Sequence, residues 1–233
     1  LKFHPALADL DAGDNPFCAA ALAEIGRHPT LRRLRCDNMR MSYEAAATLF
    51  AALAELPALH DLTVGNENPD VLMDQLRAVL AAGKIRDLTI RDMSVGMHTL
   101  GWTGCAPPDG VFLDSFAAVN LPQGSETLLV HAAPRVQIRF SVRGMHMDGH
   151  KIPWLARFCR AATLEFHDVW PSPGVPDVLW CENLGGALAA NAHVAHLDIT
   201  GVPLSPDGAV ALISSLGANS TLSSLAIAVQ CVE

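Results

Sequence analysis

Apolar residues recur along the chain in pairs two positions apart: Leu10 with Ala12, Leu34 with Cys36, Leu62 with Val64, Leu88 with Ile90, Phe116 with Ala118, Phe140 with Val142, Leu164 with Phe166, Leu197 with Ile199 and Leu225 with Ile227. Successive pairs are 24, 28, 26, 28, 24, 24, 33 and 28 residues apart. An apolar residue at every second position is the mark of a strand with one buried face. The clearest echo is VAHLDITG at 194–201 with LSSLAIAV at 222–229. Repetition at 20 to 50 residues, roughly, is the mark of units that bury their apolar faces against one another. Four positions beyond the first member of each pair stand Asp14, Asn38, Asn66, Asp92, Asn120, Gly144, Asp168, Gly201 and Val229, six of the nine being Asn or Asp. A stack of short strands must turn at the same point in every unit. Asn and Asp can bond neighbouring backbone there, and Gly tolerates the dihedrals.

Between the pairs the pattern changes to helical spacing. The expected helices are Ala19–Ile25, Tyr43–Leu56 closed by Pro57, Asp70–Ala82 stopped by Gly83, and Ser125–Ala133 ended by Pro134. Ile152–Ala162, Pro176–Ala190 and Pro206–Leu216 complete the set, the last with Ser205 as N-cap and Pro at the first helical position. Two stretches break the pattern. Met93–Val111 (MSVGMHTLGWTGCAPPDGV) predicts an irregular connection with one helical turn near Met97–Trp102, and Val169–Val175 (VWPSPGV) predicts a rim loop. The pattern therefore predicts an α/β fold, a leucine-rich repeat solenoid of about nine strands, forming one domain over residues 1–233. Leu1 in place of a methionine, and a last strand with no helix after it, make a piece of a longer chain the expectation.

Composition narrows the function classes. Half of the 233 residues are hydrophobic and 17% are charged, which argues against disorder, and no apolar run is long enough to span a membrane. A net charge of -8 opposes bulk attraction to nucleic acid or anionic lipid, so neither is an expected partner. Cys18, Cys36, Cys105, Cys159, Cys181 and Cys231 stand singly and predict small buried hydrophobes, without a disulfide framework or zinc site.

The units LGGALAANAHVAHLDITG (184–201) and SPDGAVALISSLGANSTLSSLAI (205–227) resemble leucine-rich repeats of the ribonuclease-inhibitor type. The run Gly186-Ala187-Leu188-Ala189 and the ANxxLxxLxI style of Ala218–Ile227 resemble, more narrowly, the GALA-type repeat effectors of plant-pathogenic bacteria. That resemblance implies a type III secreted effector acting inside the host cell, in its cytoplasm or nucleus, with repeats that bind a host protein. It also implies an alternative. In GALA-type effectors an F-box links the repeats to the host ubiquitin machinery; no F-box-like segment is found in this sequence, so that activity would lie outside the chain. A third reading is a GTPase-activating repeat protein, with Arg33 or Arg91 on the nucleotide phosphate.

Alternation puts the residues flanking each apolar pair on the exposed, concave side of the sheet. The expected partner-binding residues are Arg33, Arg35, Asp61, Asp87 and Arg91 in one cluster, and Arg139, Arg143, Glu165, His167, His196, Asp198 and Thr200 in another. Against this stands a solvated face of self-paired charges worth about 0–1 kcal/mol each. No Trp, Tyr or Phe falls on that face. Trp154 and Trp180 are expected to pack inward from helices, and Trp170 to be exposed in the rim loop. His146 and His150 in HMDGH have HxxxH spacing, yet Gly144 and Gly149 bracket them in a turn with no third ligand close by, so no metal is expected. Glu165, His167, His196 and Asp198 could serve as acid, base and orienter, but an open sheet offers no water-excluding pocket. Without a nucleophile elbow, phosphate-cradling loop or dinucleotide fingerprint, the expectation is a protein-binding module that is not an enzyme and takes no cofactor.

Overall fold

The computed structural model describes residues 4–16, 19–39, 41–65, 69–92, 107–121, 125–147, 150–171 and 177–230. Among these residues it is an α/β fold of nine strands, with a helix between each successive pair except β4 and β5, arranged in two compact units, Leu1–Leu113 with Asn120–Pro122 and Asp114–Val119 with Gln123–Glu233. In the first unit β1 (Asp9–Asp11), α1 (Ala19–Ile25), β2 (Arg33–Arg35), α2 (Tyr43–Glu55), β3 (Asp61–Gly65), α3 (Pro69–Ala81) and β4 (Asp87–Arg91) follow one another. The strands pair in chain order and all in parallel, with Leu10, Leu34, Leu62 and Leu88 in one registered row. Parallel pairing requires the chain to cross back between strands, which the helices accomplish.

The second unit runs β5 (Leu113–Val119), α4 (Glu126–Ala132), β6 (Val136–Met147), α5 (Lys151–Phe158), β7 (Thr163–Pro171), α6 (Asp177–Ala189), β8 (His196–Leu204), α7 (Pro206–Ser215) and β9 (Ser224–Val229). Its strands also stand in chain order, and β6 through β9 are parallel with Phe140, Leu164, Leu197 and Leu225 in register. The edge strands β1 and β9 each have one neighbour, so neither unit closes into a barrel. Inward pair members such as Leu62, Val64, Phe140, Val142, Leu164 and Phe166 are at most 1% exposed. Burial of such a side chain contributes about 1.5–3 kcal/mol. Cys36, at an inward pair position, is buried among them. On β9 the inward Leu225 and Ile227 are only half-buried.

The polar column following each pair has the backbone it was expected to have. Asp14, Asn38, Asp92, Asn120, Asp168 and Gly144 all adopt positive φ, between 49° and 66°. Asn38 Nδ2 donates to Asp14 Oδ1 at 2.7 Å, and Asn120 Nδ2 to Asp92 Oδ1 at 2.7 Å, so within the first unit the column also bonds from one repeat to the next. Asn66 lies outside the described residues. Gly201 departs from the rule, because its backbone is not left-handed; a Cβ there would meet Asp168 N at 2.3 Å and His167 Cα at 2.5 Å. Glycine at 201 serves the close approach of the neighbouring turn.

Several expectations need correction. The strands β6, β7 and β8 continue past the polar column, because the left-handed Gly144 and Asp168 bend β6 and β7 without ending the ladder and Gly201 in β8 is not left-handed, and a second set of apolar residues, Met145, Met147, Val169, Val202 and Leu204, is buried beyond it. Consequently His146 and Met147 belong to a strand where a turn was expected, and Val169–Pro171 belong to β7 where a rim loop was expected. The remainder of that loop, residues 172–176, lies outside the described residues, as do residues 93–106 of the first irregular stretch. Helix α5 ends at Phe158, four residues early, since Cys159 is extended and the chain must straighten to enter β7 at Thr163. Trp180 is buried as expected, whereas Trp154 is half-exposed with its ring 4.5 Å from that of Phe158.

Candidate outward strand faces

In the first unit, side chains flanking the inward leucines stand in registered columns. Asp9, Arg33, Asp61 and Asp87 form one, and Asp11, Arg35 and Thr63 form the next. Arg33 donates through Nε to Asp9 Oδ1 at 2.6 Å and through Nη2 to Oδ2 at 2.8 Å. That hydrogen-bonded pairing holds the Asp9 carboxyl below its ordinary range. Arg35 reaches Asp37 with Nε at 2.6 Å, Asp11 with Nη1 at 3.0 Å and Asp14 with Nη2 at 3.2 Å; the bond to Asp37 is the main reason its guanidinium is held above its usual value. Asp37, 3% exposed, also faces Arg91 Nε at 3.6 Å, while that nitrogen is closer to Asp92 at 2.8 Å. Arg33, Arg35 and Arg91 are therefore committed to carboxylates of their own chain. Asp61 and Asp87 are side by side in register, and neither makes an ion pair among the described residues. Burial first, and then the charge of Asp87, raise the Asp61 carboxyl above its ordinary value.

The second unit places Arg139 beside Thr163 and His196, Ser141 beside Glu165 and Asp198, and Arg143 beside His167. All seven residues expected in this cluster share neighbouring strands. Glu165 Oε2 accepts from Arg139 Nε at 2.9 Å and faces Arg139 Nη2 at 2.9 Å and His167 Nε2 at 3.5 Å. Burial raises the Asp198 carboxyl, but the hydroxyl and backbone N–H of Thr200, with the nearby His167, outweigh it and hold it below the ordinary value. Arg143 is exposed, and among the described residues it has no carboxylate partner. Cys159 and Cys181 are each pushed up to about 12 mainly by burial, which opposes thiolate chemistry.

Two features escaped the sequence reading. Beyond the polar column His146 and Trp170 are in register, with ring centroids 5.3 Å apart. The alternations Met145-His146-Met147 and Val169-Trp170-Pro171 carry the signal that these are strand residues with outward rings. On the helical side, α5 and α6 enclose a groove of about 430 Å³ lined by His150, Pro153, Trp154, Arg157, Glu182, Asn183, Gly186 and Ala187. His146 and His150 do not share a helix face, since one lies in β6 and the other precedes α5. Among the described residues no cluster of His, Cys, Asp and Glu could hold a metal ion.

No family model matches the chain, and no curated protein matches it. Among solved structures it is similar to a crystal structure of a Toxoplasma gondii ME49 protein provisionally assigned as a deoxyribose-phosphate aldolase, at 13% sequence identity and a TM-score of 0.31, over 91% of this chain and 92% of that chain. The expectation that the chain is not an enzyme is corrected on this finding, because the similar structure is described as an enzyme. A likeness of that size transfers neither substrate nor catalytic residues.

Proposed function

We propose that the chain is a leucine-rich repeat module of the ribonuclease-inhibitor type that binds a protein partner on the outward faces of its strands. The observation that carries this reading is the register. Strands in chain order present stacked columns of Asp, Arg, Glu, His and Thr over a row of buried leucines, a rigid surface on which side-chain positions are fixed before a partner arrives. Such preorganisation lowers the ordering cost of association. The resemblance of residues 184–227 to GALA-type effectors supports a host protein as the partner and delivery by a plant-pathogenic bacterium.

A photo-reactive amino acid installed at Thr163 or Thr200 on the strand faces, and at Arg157 or Glu182 on the helices, tests the reading in plant-cell extract. The expected result is one cross-linked protein, identified by mass spectrometry, from the strand positions alone. Its yield should fall when Arg139 and Asp198 are both reversed in charge. Cross-links from the helix positions alone would refute the strand face.

A further inference from the structure

We infer that the ends of β6 and β7 form the anchoring patch of this surface, and that its ligand is an acidic peptide segment that presents an apolar or aromatic side chain on the same face as a carboxylate, within about 10 Å of it. The inference rests on the strand-face reading and names the chemistry of the partner. Five arginines occupy the strand faces. Arg33, Arg35, Arg91 and Arg139 each have a carboxylate oxygen of the chain within 3.0 Å, and Arg143 has none among the described residues. An exposed guanidinium with its donors open accepts a carboxylate in bidentate geometry, stronger and more directional than a single hydrogen bond.

Next to it stands the aromatic surface that the strand faces otherwise lack. Gly144 and Asp168, both left-handed, reset the alternation, so Met145 and Val169 turn inward and the next outward positions are His146 and Trp170. Trp170 is 42% exposed, with its ring against that of His146. Both rings ride on paired strands whose inner residues Met145, Met147 and Val169 are at most 2% exposed, so little freedom is lost when a ligand covers them. Trp and Arg together are the residue types that dominate interface energetics. At about 3.3 Å per residue, Arg143 and His146 are at most roughly 10 Å apart along the strand that bends at Gly144, which bounds the distance between the two groups in the ligand. The chain as a whole carries a charge of -8 and repels an acidic peptide, so binding of one reports this local patch and not the average surface.

The probes are fluorescein-labelled dodecapeptides repeating Glu-Glu-Phe-Phe (Glu-Phe), Glu-Glu-Ser-Ser (Glu-Ser) and Lys-Lys-Phe-Phe (Lys-Phe), so that both residue types share each face of an extended chain, read by fluorescence anisotropy on the full chain. The Glu-Phe peptide should bind, more tightly than Glu-Ser, and Lys-Phe should not. Arg143→Ala and Trp170→Ala should each weaken it at least tenfold, with Arg143→Lys and Trp170→Phe recovering part of the loss, and Arg27→Ala, exposed beyond the end of α1 and off the strand faces, should leave it unchanged. Both altered side chains are exposed, and a matching urea midpoint will show each variant folded. Failure of the Glu-Phe peptide to bind, equal binding of Lys-Phe, or indifference to Arg143→Ala overturns the inference. The strand-face reading stands or falls separately, on the cross-linking positions.

Discussion

Asn191 is 4% exposed and closes a circuit of five hydrogen bonds. Its Nδ2 donates to the carbonyls of Ala156 and Cys159 at 2.8 Å and of Arg157 at 3.2 Å, where α5 ends. Its Oδ1 accepts from the backbone N–H groups of His193 at 2.7 Å and Val194 at 2.8 Å, where the chain enters β8. The last carbonyls of a helix have no partner within it, so the amide supplies what α5 cannot. Asn191→Ala strands these groups. A buried polar group left unsatisfied costs about 1–3 kcal/mol. The sites at Ala156, Cys159 and Val194 are closed to water, while His193 and Arg157 are exposed and can recover solvent bonds. Three orphaned groups, discounted for partial relaxation, come to about 3–5 kcal/mol.

Asn219 makes the equivalent bonds, from Nδ2 to Leu188 O and to Oδ1 from Thr221 and Leu222 N–H, but it is half-buried on the looser side of the second unit. Water can replace more of what is lost there, so Asn219→Ala should cost about 1–2 kcal/mol. Urea titration followed by tryptophan fluorescence measures both. With a slope of about 2–3 kcal/mol per molar urea, Asn191→Ala should lower the midpoint by about 1–2.5 M and Asn219→Ala by about 0.3–1 M. If Asn191→Ala costs no more than Asn219→Ala, burial is not what gives the circuit its weight, and the reasoning fails.

Asp61→Asn should raise stability at neutral pH by a few tenths to about 1 kcal/mol, since Asp61 is partly solvent-screened. Its folded carboxyl is raised above 3.8, so the folded state binds the proton more tightly and wild-type stability declines as pH climbs from 3.8 through the folded value. The advantage of the Asn variant should therefore vanish in denaturation curves below pH 3.8; a gain independent of pH would show that charge is not the cause. Asp177 has the opposite sign. Bonds from the Ser205 side chain and backbone hold its carboxyl below 3.8, so its contribution is complete above 3.8 and is lost as pH falls through the folded value, a dependence that Asp177→Asn should flatten. Gly201→Ala drives a methyl against Asp168 N and should cost about 1–3 kcal/mol in the same titration, while Gly186→Ala, with open space around it, should be near neutral.

Legibility of the fold followed from what each residue needs locally. The inward pairs and the polar column could be read because period two and a left-handed turn are demands that neighbouring residues meet by themselves, and Asp14, Asn38, Asp92, Asn120, Gly144 and Asp168 meet them. The length of β6, β7 and β8 was harder to read. A left-handed residue ends a strand in one setting and merely bends it in another, and for β6 and β7 the difference lies in whether Met145 and Val169 find an apolar space beyond the bend; β8 has no left-handed residue at Gly201 and runs on to bury Val202.

The candidate faces divide in the same way. Which side chains point outward follows from alternation, so Arg33, Arg143 and His196 could be placed by counting. Which of them remain open depends on reach across strands 24 to 33 residues apart in sequence. Arg33 finds Asp9, and Arg139 finds Glu165, because registered neighbours lie within one side chain's length. Arg143 has His167 as its neighbour in β7, and that ring is turned toward Glu165. The pairing that leaves one guanidinium open among the described residues is thus a property of two strands together. The Asn of ANAHVAHLDI and ANSTLSSLAI is the converse case: two residues with the same local motif should carry unequal weight, because the tertiary surroundings exclude water from Asn191 and leave Asn219 half-buried.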